Sequence, residues 1–288
     1  MKKASVALLF LVLLLALSAC APKARPTGVP DQEDWQSGTI GVVLSWNADC
    51  YFDQCPWAEE AEILRYNSMA GAVMAMKYGY VDYLALEMAS AGLLCRSMPA
   101  FTVLSPPIVE DEILAFVTPG RPDLQQEYDA FIEEFQQTEA YADLVRRGDA
   151  AFLADYQRRD VPATGTGETI RVVCEDYYPY CYWDFEQESL AGLEVELVTH
   201  FANSRNYQAE FIFSSYMAAI TDLTVGRAEM MIDGLSGYYE EYARTSGLLC
   251  TRPLTRNNSE TPYQKNTPRG SPWSGSERGV ISISICGG

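Results

Sequence analysis

The chain has 288 residues, 48% of them hydrophobic and 21% charged, with a formal net charge of −18 at neutral pH. Such acidity excludes nucleic acid and anionic lipid headgroups as partners of the folded body, because both would be repelled. The hydrophobic share is ample for a buried core, and the length suits two lobes of about 100 residues each.

Lys2 and Lys3 precede an apolar run from Val6 to Ala16 that ends in Leu17-Ser18-Ala19-Cys20. The run is too short and wrongly flanked for an ordinary membrane span, so residues 1–20 read as an export leader. Leu-Ser-Ala-Cys resembles the bacterial lipobox. That resemblance implies a diacylglyceryl group on the Cys20 thiol, cleavage just before it, and a protein held to the membrane outside the cytoplasm by lipid. A plain secretory leader with a chance cysteine is the alternative. Residues 21–37 are rich in Pro, Gly, Asp and Gln without apolar periodicity and are expected to be a flexible tether.

Folding is expected to begin near Thr39. Thr39 to Leu44 is a short β-branched run, a buried strand. Ser68 to Lys77 has helical spacing, Gly79 stops it, and Tyr80 to Leu86 is a strand. Phe101 to Leu104 and Ile113 to Val117 are further strands. Pro122-Asp123-Leu124 opens a helix through about Gln137, and Thr138 to Arg147 forms another. Pro162, Gly165 and Gly167 mark a linker at 161–168. Ile170 to Val173 is then a strand, Val195 to Asn203 a helix, Phe211 to Phe213 a strand, Met217 to Val225 a helix and Met230 to Ile232 a strand. Strands alternating with helices predict an α/β fold with mainly parallel sheets flanked by helices.

Eight cysteines in an exported chain make disulfides the first reading, with Cys50 to Cys55 and Cys174 to Cys181 close enough in sequence to bridge short loops. Buried free thiols are the alternative. With one histidine and these cysteine spacings, no standard zinc pattern is present. Neither a metal nor a cofactor is expected.

Several short motifs occur in a particular order. Ile170 to Val173 leads to Tyr178-Pro179-Tyr180, then Gly192-Leu193-Glu194-Val195-Glu196-Leu197, then Gly226-Arg227-Ala228-Glu229 and Gly234-Leu235-Ser236. In this order, residues 169–250 resemble the first lobe of the family 3 extracellular solute-binding proteins, receptors of polar amino acid uptake systems. Residues 38–160 resemble the second lobe, through Gly38-Thr39-Ile40-Gly41-Val42-Val43, Met76 to Asp82 and the acidic Glu87. The resemblance implies a two-lobed periplasmic-binding-protein type 2 fold. It also implies capture of a small polar ligand by cleft closure and delivery to the membrane permease of an ABC transporter. The lobes stand in reversed order, as in a natural permutation or a piece of a longer tandem receptor.

Carried over to this chain, the resemblance implies Glu87 as the acid that takes a ligand ammonium, Tyr216 as a stacking aromatic, Ser236 on a donor loop and Glu175 as another acidic contact. Tyr178 belongs to an aromatic cluster, with Tyr177, Tyr180, Tyr182 and Trp183, beside the expected cleft. The family's Gly-Leu-Ser-x-Thr-x-x-Arg reads here Gly234-Leu235-Ser236-Gly237-Tyr238-Tyr239-Glu240-Glu241, so Glu241 stands where an arginine would clamp a carboxylate. A micromolar complex has only about 8 kcal/mol of binding free energy, and a charge-assisted hydrogen bond contributes roughly 1.5 to 3 kcal/mol. Losing that clamp therefore argues against a standard α-amino acid. Either Arg244 reaches back to replace it, or Glu87, Glu175, Asp233 and Glu241 form an acidic cleft for a cation such as a polyamine or basic peptide. The bland alternative is a set of solvated surface acids. His200, the sole histidine, is read as structural. No arrangement for nucleophilic catalysis stands out, so the chain is read as a non-enzyme. A sensory ligand-binding module, or a dehydratase-like enzyme on the same fold, is the alternative.

Residues 251–288 shift to Ser, Thr, Pro, Gly and Arg with a net charge of +3. They are expected to be a disordered or frameshifted tail without function.

Overall fold

The computed structural model describes residues 38–54, 61–103, 109–152, 156–254 and 280–287. Cys20, the leader, the tether, Cys55 and residues 255–279 lie outside them. The fold is two-lobed α/β. In the first lobe, β1 (Thr39–Val43) runs parallel to β2 (Glu62–Tyr66) and β3 (Tyr83–Glu87). Around them lie α1 (Asn47–Gln54), α2 (Met69–Lys77), α3 (Met88–Ser97) and the short β4 (Thr102–Val103). The Ser68 side chain accepts from the Gly71 N–H and starts α2 as a serine N-cap should.

The long strand β5 (Val109–Val117) leads to α4 (Pro122–Phe135) and α5 (Glu139–Phe152). The second sheet is built on β6 (Thr169–Cys174), β9 (Gln208–Phe213) and β10 (Met230–Ser236), in which β6 lies parallel to both neighbours. Between β6 and β9 come the hairpin β7 (Tyr182–Asp184) with β8 (Ser189–Ala191), and helix α6 (Leu193–Arg205). Helix α7 (Tyr216–Thr224) precedes β10. A 3₁₀ turn (Gly237–Tyr239), α8 (Glu240–Thr245) and β11 (Leu249–Cys250) follow it. Among the described residues no helix is long and apolar enough to cross a membrane.

One strand belongs to both lobes. The first half of β5 pairs with β12 (Val280–Gly287) and its second half with β10, giving the strand order β2-β1-β3-β12-β5-β10-β6-β9. The pairings of β5 with β10 and β11, and of β12 with β3, β4 and β5, are antiparallel, so each parallel set is joined to the other through antiparallel strands. The tail expected to be disordered therefore contributes a strand to the middle of this sheet. Val280 to Ile285 alternates apolar residues with serine over its last positions, the period of a strand, and this local signal prevails over the polar composition of the wider tail. Thr251 and Leu254 are buried as well, their N–H groups donating to Ala115 and Ile113 carbonyls.

Strand alternation sorts the cores. Ile113, Ala115 and Val117 of β5 face one core of the second lobe, while Leu114 and Phe116 face the other. The first of these cores also holds Tyr128, Phe131 and Phe135 of α4 and Tyr141, Leu144 and Val145 of α5, packed with Phe201 of α6. Helices α4 and α5 thus belong with residues 169–250 and not with the 38–103 part of the lobe expected over 38–160. The first-lobe cores are instead built with α1, α2 and α3 residues, and α5 touches that lobe through α3. The 161–168 linker lies against α6 and its end, where Asn203 accepts from the Thr164 N–H and the Asn206 carbonyl from the Gly167 N–H.

Arg147 locks α5 to α6. Its guanidinium donates to both oxygens of Glu196 at 2.6 and 2.7 Å and to Asp143 at 2.9 Å, and the Glu196 side chain is only 1% exposed. A buried pair of this kind is most costly when broken on one side, since the surviving charge keeps no partner. Arg147→Ala is expected to lower unfolding free energy by about 3–5 kcal/mol, measured by urea denaturation, whereas removing the exposed Arg244 to Glu241 pair changes it by less than about 1 kcal/mol.

Candidate functional site

Between the lobes lies a cleft of about 260 Å³. One wall is the β1–α1 connection, Leu44 to Asn47. The other is the loop after β6, Glu175 to Tyr177, with Tyr216 and Met217 at the start of α7. Asp233, Leu235 and Tyr239 form the floor. None of these lining residues is basic.

The lobes touch around the cleft through a small set of polar and aromatic contacts. Asn47 Nδ2 donates to the Gly234 carbonyl at 3.0 Å and to the Tyr177 hydroxyl at 3.4 Å. The Tyr239 hydroxyl donates to the Ser45 carbonyl, and Gln54 Nε2 to the Tyr238 carbonyl at 2.9 Å. Trp46 meets Tyr177 edge-on, with centroids 5.8 Å apart and ring planes 67° apart. Asp49 accepts from the Ser45 N–H at 2.8 Å and from Arg65 at 2.7 Å, which holds the first turn of α1 in place.

The floor is shaped by an irregularity in β10. Met230 and Met231 pair with Val117 and Phe116, yet the next pairs are Leu235 with Leu114 and Ser236 with Ile113, so extra residues bulge out of the ladder. Bulges re-aim side chains, and here the bulge carries Asp233 to the cleft and puts Gly234 at φ +56°. A Cβ at Gly234 would sit 2.6 Å from the Tyr177 ring and 2.7 Å from the Tyr180 ring, besides occupying a left-handed backbone that side chains disfavour. Its N–H donates to Glu194 Oε2 at 2.6 Å, and its carbonyl receives Asn47.

The carboxylates here are unusual. Glu194 is buried, and burial pushes its pKa up to about 8 despite the Gly234 N–H. Asp233 is driven well above the ordinary range, first by burial and then by repulsion from Glu194 and Glu175, with the Glu175 N–H offsetting a little. Asp233 Oδ1 has no hydrogen-bond partner. Glu87, at the end of β3, is 1% exposed and neither of its oxygens closes a hydrogen bond of normal geometry. Burial raises its pKa, and the Glu87 N–H, the Tyr177 hydroxyl and the N–H groups of Asn47 and Ala48 offset this in part. Glu175 accepts from the Tyr216 N–H at 3.1 Å, which joins the loop after β6 to the start of α7.

Of the residues expected from the sequence, Glu175 and Tyr216 line the cleft, and Glu87 lies outside the lining, next to the Tyr177 hydroxyl. Tyr178 turns away and packs on Tyr156 and Tyr182. Its peptide bond to Pro179 is cis. Ser236 is fully buried, with its Oγ accepting from the Tyr238 N–H. Arg244 does not reach back to the cleft: it pairs with Glu241 on the outer face of α8, where both side chains are mostly exposed. Glu241 is accordingly no part of the acidic floor, whose other expected members are Glu87, Glu175 and Asp233. Cys174 and Cys181 are buried free thiols hydrogen-bonded to each other at the two ends of the loop that carries Glu175 to Tyr177, and Cys50 is also a free thiol. Trp46, Asn47 and Tyr239 were not expected. The Asn47-Ala48-Asp49 sequence has the polar start of a helix, the signal by which α1 is recognisable.

No family model and no curated protein matches the chain. Among solved structures it is similar to the periplasmic VFT2 domain of Bordetella pertussis BvgS, at 11% identity over 88% of this chain and 82% of that one, with a TM-score of 0.36. It is also similar to an ABC transporter from Parabacteroides distasonis, at 11% identity over 86% of this chain and a TM-score of 0.43. A third is a zinc-bound ligand-binding component of an ABC-type import system from Staphylococcus aureus, at 7% identity over 86% of this chain and a TM-score of 0.40. The chain spans 65% of the length of each of the last two. At these TM-scores the likenesses bear on neither ligand nor partner.

A carboxylate whose pKa rises on folding holds a proton that the unfolded chain has released. For Glu194 that contribution is complete below about pH 4.5 and is lost as pH rises towards 8. Glu194→Gln is expected to flatten the decline in stability between pH 5 and 8 relative to the unaltered chain, read by denaturant unfolding at stepped pH. An unchanged slope would show that Glu194 titrates normally.

Proposed function

We propose that this chain is a lipid-anchored extracytoplasmic binding protein that captures a small polar cation between its lobes and presents it to the permease of an ABC transporter. Asp233 carries the reading. It is a cleft-lining carboxylate with an unpartnered buried oxygen, among further carboxylates and with no basic side chain in the lining. A buried polar group left unsatisfied costs about 1–3 kcal/mol, more when charged, and a bound cation would remove that cost. Glu175 and Asp176 at the same rim add negative potential, which repels a free carboxylate ligand and draws a cation in. The leader and its Cys20 supply the expected place of action, and the family resemblance supplies the expected permease.

Binding and protonation compete at this site. Burial raises the pKa of Asp233 in the cleft and of Glu87 next to Tyr177, so folding favours the protonated form of each. A cation that needs these groups ionised must displace protons, so affinity rises with pH by up to about tenfold per unit for each proton released and levels off above the folded pKa. The full chain purified in detergent is the material for the test. A cationic ligand at 100 times its dissociation constant should stabilise it by about 2.7 kcal/mol, while glutamate gives no shift. Asp233→Asn should weaken cation binding by about tenfold or more. Stabilisation by glutamate alone, or cation binding indifferent to Asp233→Asn, overturns the reading.

A further inference from the structure

We propose that the charged group this cleft takes is an alkylated, quaternary ammonium, held against aromatic surface with Asp233 as its counter-ion, and not a primary amine. The inference rests on the reading of the cleft as a cation site and names the class of cation.

Four aromatic side chains line the cleft: Trp46, Tyr177, Tyr216 and Tyr239. Trp46 and Tyr177 come from opposite lobes and stand 67° apart, like two walls meeting in a corner. Tyr216 and Tyr239 form a second pair, with centroids 6.1 Å apart and planes at 44°. Leu235 adds apolar surface to the floor. A cation lying on such rings is drawn by their quadrupoles, and a cluster of aromatic rings is the recurring way of holding a quaternary ammonium.

Hydrogen bonding separates the two kinds of cation. A primary ammonium has three donors to satisfy. Several of the cleft's polar groups already hold a hydrogen bond: the Tyr177 hydroxyl accepts from Asn47, the Tyr239 hydroxyl donates to the Ser45 carbonyl, and one Glu175 oxygen accepts from the Tyr216 N–H. Asp233 Oδ1 stands buried and unpartnered. Asp233, Glu175 and Asp176 supply the charge, and the four rings supply the apolar contact that a methylated cation uses. An ammonium already capped by methyl groups has no donor to satisfy, and its methyl groups gain from contact with the same apolar surface.

The test compares matched ligands on the full chain in detergent by isothermal titration calorimetry: choline against ethanolamine, and tetramethylammonium against methylammonium, with putrescine as a general cation probe. Choline is expected to bind at least tenfold more tightly than ethanolamine. Trp46→Leu, which keeps apolar bulk and removes the indole, should erase that preference, while Trp46→Phe retains part of it. Melting temperatures of the two variants within a few degrees of the unaltered chain show that folding is not the cause. Equal or tighter binding of ethanolamine, or a preference that survives Trp46→Leu, overturns the quaternary assignment and leaves the cation reading standing. Binding of none of the five cations overturns both.

Discussion

The site depends on the backbone of one residue. Gly234 occupies a left-handed conformation in the bulge of β10, gives its N–H to Glu194 of α6 and takes the Asn47 side chain on its carbonyl. A helix of the second lobe, the floor strand and the first turn of α1 in the other lobe therefore meet at the backbone of a single residue. The rings of Tyr177 and Tyr180 lie where a Cβ would be, so only glycine lets the aromatic layer close over the strand. The preceding residue is Asp233, and the bulge that accommodates Gly234 is what carries this carboxylate into the cleft.

Burial of Glu87, Asp233 and Glu194 runs against stability, because a carboxyl loses hydration, and Glu194 and Glu175 add to the cost of ionising Asp233. Most of the fold shows the opposite habit. Glu196 has Arg147, Glu229 has Arg171 and Asp184 has Arg158, and these acids lie at a distance from the cleft. A chain that pairs its acids with arginine elsewhere and leaves Asp233 without a cationic partner in the cleft concentrates its electrostatic cost where a ligand would enter, the pattern expected when perturbed ionisation serves binding.

Rigidity is distributed to match. Helices α4, α5 and α6 interlock through Tyr128, Phe131, Phe135 and Phe201 on one face of the second sheet and through Arg147 across α5 and α6. That scaffold fixes Glu194 and, through it, the bulge. The first lobe adds Trp46 and Asn47 from the connection between β1 and α1, whose path is held by Asp49. Since β5 belongs to both sheets, relative movement of the lobes would bend this strand near Glu112 and Ile113, where its partner changes from β12 to β10.

The sequence by itself determined the alternation of strands and helices, since Thr39 to Val43, Ile170 to Val173 and the apolar stripe of Pro122 to Phe135 each carry a period that depends on near neighbours alone. The family resemblance pointed to Glu175, Asp233 and Tyr216, which line the cleft, and to Glu87, which does not. It did not separate them from Tyr178, Ser236 and Glu241, because a motif gives position along a strand or helix and not the direction a side chain takes at a bulge or loop. The tertiary structure decided that α4 and α5 cover the second sheet, that Val280–Gly287 enters a sheet beside β3 and β5, and that Trp46 and Asn47 face Tyr177. These outcomes depend on contacts between segments far apart in the chain. Local periodicity is blind to them, because the free energy that selects one partner face over another exists only once both faces have formed.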